Sequence, residues 1–135
     1  MLTAEYFKTP GNVPLENGEE IKEISVQGEY YDKTEKMAKK CFLVFTDKHL
    51  FIYVEAQIKA GLFKKKTGAR AVYTVPYTEI AQLKRHRVGS DDTYCCAVLK
   101  SGEEVAFNLF GEVFGPLALK IVTYSGLDIP RVRNL

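Results

Sequence analysis

The stretch VAFNLFGEVFGPLALKIVTYSG, residues 105–126, changes its apolar period part-way along, and that change decides the fold class. Val105, Phe107 and Leu109 alternate with small or polar residues, the period of two by which a strand lays one face on a core. From Phe114 onward the large residues recur as Phe114, Leu117, Ile121 and Tyr124, at spacings of 3, 4 and 3, which is one stripe of an α-helix. Pro116 suits an opening turn, and Gly126 suits the residue just past a helix end. The spacing predicts a single amphipathic helix that ends the fold after a series of strands.

Working upstream, the tight turn Lys100-Ser101-Gly102-Glu103 joins the EVAFNLF strand (residues 104–110) to TYCCAVL (residues 93–99), and Gly89-Ser90-Asp91-Asp92 reads as the turn before that. Residues 81–88, AQLKRHRV, form a strand whose Lys84, Arg85, His86 and Arg87 leave neither face clean, as expected of an exposed or edge strand. RAVYTVP, residues 70–76, is a strand that Pro76 must end or hold at an edge, and YTEI after it is a single turn. CFLVF, the turn Thr46-Asp47-Lys48-His49 and LFIYV form a hairpin, with Leu50, Ile52 and Val54 inward and Phe51 and Tyr53 outward. Loops are expected at residues 32–39 and 57–69. Ile24, Val26, Gly28 and Tyr30 share one face of the first strand. Residues 1–20, with Pro10, Gly11, Pro14 and Gly18, read as an irregular arm, residues 21–126 as the domain and residues 127–135 as a tail. Seven antiparallel strands with an apolar face are expected to close into a barrel or sandwich, filled by Val26, Val44, Ile52, Phe107 and Leu117 and plugged by the helix.

A chain of 135 residues with 46% hydrophobic residues has enough apolar mass for one core and too little for two full domains. No apolar run reaches the roughly 20 residues of a bilayer span, and the opening residues lack a signal-peptide pattern, so a cytoplasmic location is expected. Three cysteines, two of them adjacent in a strand where neighbours point to opposite faces, do not make a disulfide framework. The formal charge of +2 conceals an uneven distribution: residues 1–56 carry −3, residues 57–87 carry +7 and residues 88–135 carry −2. The basic middle third is suited to attracting an anionic surface.

Three strings, LVFTDKHLFIY, GLFKKKTGARAVYTVPYTEI and AVLKSGEEVAFNLF, together with seven strands followed by one helix, give the chain its resemblance to the bacterial branch of the pleckstrin-homology-like domains, over about residues 20–126. The resemblance implies a non-enzymatic domain that commonly self-associates. In the eukaryotic relatives, phosphoinositide head groups bind between the first-second and third-fourth strand loops. The positions that correspond here are Lys33, Lys36, Lys39 and Lys40 in the first loop and Lys59, Lys64, Lys65, Lys66 and Arg70 in the second. The sequence departs from the phosphoinositide signature at Cys41-Phe42-Leu43, which follow Lys40 where a second basic residue belongs.

The leading expectation is therefore a module that binds a protein partner or itself, through outward Phe51 and Tyr53, the edge of the fifth strand and the free arm. The alternative is a peripheral binder of anionic lipid through Lys36, Lys39, Lys40, Lys64, Lys65, Lys66 and Arg70. Leu62 and Phe63 belong to the interaction surface as an apolar tip, or fold back on the barrel rim. Phe51, Tyr53, Tyr73, Lys84, Arg85 and Arg87 interleave aromatic and basic side chains as a single-stranded nucleic-acid platform does, a weaker reading. Catalysis finds little support. Glu19-Glu20, Asp91-Asp92 and Glu103-Glu104 are expected in solvated turns, and whichever of Cys95 and Cys96 faces inward is expected to act as a small hydrophobe. Neither His49 nor His86 stands at a metal-ligand spacing from a Cys, Asp or Glu. No nucleotide-binding fingerprint occurs, and no cofactor is implied.

Overall fold

The alternating segments form eight strands of a single sheet with one long helix packed on it, in a computed structural model that describes residues 2–88, 91–109 and 112–132, with backbone alone at residues 88 and 91–93. In chain order the elements are α1 (Ala4–Lys8), β1 (Ile21–Asp32), β2 (Met37–Thr46), β3 (His49–Lys59), β4 (Lys65–Pro76), a 3-10 turn at Tyr77–Glu79, β5 (Ile80–Val88), β6 (Asp91–Leu99), β7 (Glu104–Leu109), α2 (Phe114–Ser125) and β8 (Arg131–Val132). The sheet order is β4-β3-β2-β1-β7-β6-β5-β8, so β4 lies at one end and is not joined to the other. The expected closed seven-stranded barrel or sandwich is thus corrected to an open eight-stranded sheet. Cover for the apolar face comes from α2, whose Phe114, Leu117, Ala118 and Ile121 are buried in the main core beside Leu43, Leu50, Ile52 and Phe107. Lys120 ties the helix to β1 by donating to both carboxylate oxygens of Glu23, at 2.9 and 3.1 Å. Gly126 ends the helix at φ 69°, a left-handed conformation that only glycine adopts without strain.

The period of two in β1 is broken where it looked cleanest. Ile24 pairs with Val44 and Ser25 with Leu43, but Gly28 pairs with Cys41, so β1 carries one extra residue between Ser25 and Gly28. That bulge reverses the facing of the strand. Tyr30 enters the main core, Ile24 packs against the opposite cluster, and Val26, expected inside the barrel, is 48% exposed. Val44 likewise leaves the predicted core set for that second cluster, while Ile52, Phe107 and Leu117 are in the main core. Beyond the bulge, Gly28 lies so close to β2 that a Cβ on it would stand 2.8 Å from Leu43 Cγ and 3.1 Å from Cys41 Sγ. Gly28→Ala is expected to lower stability by about 2 kcal/mol through overpacking; a shift below 0.5 kcal/mol in urea unfolding would contradict this contact.

The first 20 residues are no free arm. α1 and the following turn carry Leu2, Phe7 and Val13 onto the outer face of β2 and β3, where they bury Val44, Phe51 and Tyr53. At the other end of the chain, β8 pairs in parallel with β5 (Leu83 with Arg131, Lys84 with Val132), and Ile129 is buried in the main core. Residues 127–132 therefore belong to the fold, and part of the supposed edge at β5 is covered. The long strand at the other end of the sheet is β4, which Pro76 ends as expected and whose Ala69 N–H donates to the Tyr6 hydroxyl at 3.3 Å. Gly89, Ser90 and Phe110, placed in a turn and in a strand by the sequence, lie outside the described residues; Asp91 and Asp92 begin β6 rather than forming a turn.

Candidate functional site

β3 and β4 run as one long hairpin whose pairing continues to Lys59 opposite Lys65, leaving only residues 60–64 at its tip. The expected loop of residues 57–69 is thus mostly strand, and Lys65, Lys66 and Arg70 are spaced along β4. Lys59, Lys64, Lys65, Lys66 and Arg70 are all exposed. At the tip Leu62 is 87% and Phe63 94% exposed, so they stand clear of the rim rather than folding back on it. Like charges directly opposite one another destabilise a strand pair, and Lys59 facing Lys65 beside Lys64 is such an arrangement. A counter-charge laid across the tip relieves it.

The first-hairpin lysines divide differently. Lys39, on β2, donates to Asp32 at 2.9 Å and to Glu35 at 2.5 Å, and the bond to Glu35, then that to Asp32, pushes its ammonium well above the ordinary value. Its charge is answered from within the hairpin. Lys36 occupies a left-handed turn position (φ 55°), and Lys40 borders a shallow groove beside the β1 bulge; both are exposed. Lys39, paired with Tyr30, lies two residue pairs from the β1–β2 turn, whereas Arg70, paired with Val54, lies midway along the β3–β4 hairpin. Lys66 stands four residues farther along β4, about 13 Å away at ~3.3 Å per residue. The expected seven-residue anion site therefore divides among the far end of the β3–β4 hairpin (Lys64, Lys65, Lys66), mid-strand Arg70 and the β1–β2 turn region (Lys36, Lys39, Lys40), with Lys39 already neutralised.

Phe51 and Tyr53, expected as an exposed interaction surface, are 1% and 4% exposed beneath the arm. Phe7 packs on both Phe42 and Tyr53, at ring separations of 5.5 and 5.2 Å. The same burial removes them from any base-stacking platform.

Glu19, expected in a solvated turn, is instead a buried clamp between the arm and the β2–β3 turn. Its carboxylate accepts from the Thr46 hydroxyl, from His49 Nδ1–H at 2.8 Å and from the Glu16 backbone N–H at 2.8 Å. Thr46 Oγ1 in turn accepts from the backbone N–H groups of Lys48 and His49, which fills the capacity of one hydroxyl. Both groups nearest to a catalytic dyad, His49 and Glu19, are thus occupied in holding a turn.

The three thiols are all buried. Burial pushes each one upward, Cys96 to about 12, with Cys41 and Cys95 higher still, so each is held as a thiol rather than a nucleophilic thiolate. Both adjacent cysteines are inside: Cys95 in the main core, and Cys96 in a small cluster with Tyr94 and Ala106 on the opposite face.

One constellation is absent from the sequence reading. His86 on β5, Cys96 on β6 and Glu104 on β7 bring their ligand atoms within 4.8 Å of one another. They lie 10 and 8 residues apart in sequence, so no short motif marks them. The signal that finds them is the strand register: His86 pairs with Tyr94 and Lys84 with Cys96, while Cys96 pairs with Ala106 and Val98 with Glu104, which makes the three diagonal neighbours on one face.

No family model matches the chain, and no curated protein matches it in sequence.

Proposed function

We propose that this chain is a non-catalytic, pleckstrin-homology-like binding module that docks on an anionic membrane surface through the β3–β4 hairpin. The observation that carries the reading is the tip itself: Leu62 and Phe63 almost fully exposed, beside Lys59, Lys64, Lys65 and Lys66. An exposed Phe is stabilised by roughly 2 kcal/mol when it leaves water, and each lysine near an anionic bilayer adds about 1 kcal/mol. Apolar side chains at the point of a hairpin with cations just behind them match the layering of acyl chains beneath phosphate head groups. Seven antiparallel strands followed by a helix, with β8 as an addition, support the family resemblance. The buried thiols and the committed Glu19–His49 pair support the non-catalytic part. Among the described residues no helix is long and apolar enough to cross a membrane.

Co-sedimentation with vesicles tests the reading. Phosphatidylserine-containing vesicles are expected to bind the chain at low salt and to release it progressively as salt rises, while pure phosphatidylcholine vesicles retain little. Replacing Lys64, Lys65 and Lys66 by Gln, or Phe63 by Ser, is expected to weaken binding at least tenfold, in line with ~1 kcal/mol per lysine. Equal binding by these variants, or indifference to anionic lipid, removes the proposal.

The position of β4 at the end of the sheet, capped by the arm at Ala69, whose N–H donates to the Tyr6 hydroxyl, favours a second reading, addition of a second copy along that strand. The self-association surface then moves from the fifth strand to the fourth. Light scattering on the lipid-free protein decides it: a mass of 15.3 kDa at working concentration excludes the dimer.

A further inference from the structure

On the strength of their convergence, we propose that His86, Cys96 and Glu104 form a binding site for one zinc-class divalent cation, on strands distinct from the β3–β4 hairpin. The three side chains come from three adjacent strands, so sheet pairing rather than a loop holds them. They line an open groove of about 300 Å³ together with Tyr31 and Lys33, which gives an ion a route from solvent. Cys96 Sγ is already 3.5 Å from Glu104 Oε1. Metal–ligand bonds of about 2.0–2.3 Å at tetrahedral angles set ligand atoms ~3.3–3.7 Å apart, so the present spacing, at most 4.8 Å, is within about 1.5 Å of what a bound ion requires.

Ligand chemistry selects the ion. One sulfur, one imidazole nitrogen and one carboxylate suit zinc and its neighbours, whereas magnesium and calcium prefer all-oxygen sets. Three protein ligands leave the fourth tetrahedral position to water. Without an ion, Lys84 Nζ lies 3.1 Å from Glu104 Oε1 and balances the carboxylate. On binding, the Cys96 thiol gives its proton to water, one Cys96 Sγ–metal bond forms, neutral His86 and Glu104 complete the set, and the Lys84 ammonium swings to solvent on its flexible stem. Thiolate and carboxylate then neutralise a doubly charged ion, which leaves Lys84 and Lys33 no net charge to oppose.

Titration of the full chain with Co²⁺, under a non-chelating reductant, tests the site. The expected result is one equivalent bound, with thiolate-to-cobalt absorption in the near ultraviolet and the visible bands of a tetrahedral ion. Cys96→Ser is expected to abolish the thiolate absorption. Because Cys96 is buried and its replacement also perturbs packing, His86→Gln and Glu104→Gln, at more accessible positions, carry the test independently. Each is expected to weaken binding at least tenfold, while His49→Gln leaves it within twofold. Absence of the thiolate band in the unaltered chain, or a loss of less than tenfold in either of these two variants, overturns the proposal.

Discussion

Phe7→Ala is expected to lower the stability of the folded chain by about 3 kcal/mol and to uncover an aromatic face that the native fold hides. Phe7 is 1% exposed and sits between Tyr6, Phe42 and Tyr53, with ring separations of 5.1 to 5.5 Å. Truncation to Ala removes an entire ring from a site whose other walls, β2 and β3, are fixed in the sheet and cannot collapse inward. The cavity cost therefore adds to the lost transfer free energy. α1 is only five residues long and has no side-chain cap, so it is held by this contact rather than by helix propensity. Urea unfolding measures the loss. Hydrogen exchange at the amides of residues 4–9 and binding of a hydrophobic dye report release of the arm. A loss under 1 kcal/mol with unchanged exchange would mean that the arm is not held through Phe7.

Glu19→Ala is expected to cost a similar amount, about 3 kcal/mol at neutral pH, and to change the acid limb of the stability curve. Burial is the largest single influence on the Glu19 carboxyl and pushes it upward, but the hydrogen bonds from Thr46, from the Glu16 backbone and from His49 together outweigh it. The net position is below the ordinary value of 4.5. A carboxyl lowered in the folded state binds protons less readily there than in the unfolded chain. Its stabilisation is thus complete above pH 4.5 and is lost as pH falls from there through the lower folded value. The unaltered chain is expected to lose stability across that window, and Glu19→Ala to lose it less steeply. Asp32, Asp47 and Glu104 are also lowered, so part of the slope persists in the variant. Replacement also leaves His49 Nδ1–H without its carboxylate acceptor and the Thr46 hydroxyl with only the His49 carbonyl, at 3.1 Å, to donate to. Thermal unfolding of both proteins from pH 7 down to about 3, below the ordinary carboxylate range, checks the sign; parallel curves would contradict it. Because Phe7 and Glu19 fasten the same arm, their effects should fall short of additive in the double variant.

The elements that were legible in the sequence are those whose pattern is local. α2 was readable because Phe114, Leu117 and Ile121 repeat on one stripe and Gly126 supplies the left-handed end. The β2–β3 turn was readable because Leu50 and Ile52 alternate with Phe51 and Tyr53, and the facing derived from that alternation is the observed one. What alternation does not report is whether the outward face meets water. For Phe51 and Tyr53 it meets Phe7, more than 40 residues upstream. The β1 bulge was hidden for a related reason: Ile24, Val26, Gly28 and Tyr30 keep a period of two in the sequence, and only pairing with Cys41 and Leu43 discloses the extra residue.

By itself, the sequence determined a mainly β chain with one terminal helix, three thiols outside any disulfide framework and a basic third around residues 57–87, because composition and short-range period are properties of the chain alone. Tertiary structure decided which of those residues meet. It closed the arm over Phe51 and Tyr53, buried Glu19 against Thr46 and His49, left Leu62 and Phe63 in solvent, and set His86, Cys96 and Glu104 side by side. Each of these depends on strand register and long-range docking. Contacts between residues far apart in sequence are set by which pairing buries the most apolar surface while satisfying its polar groups, a choice made over the whole sheet rather than within any one segment.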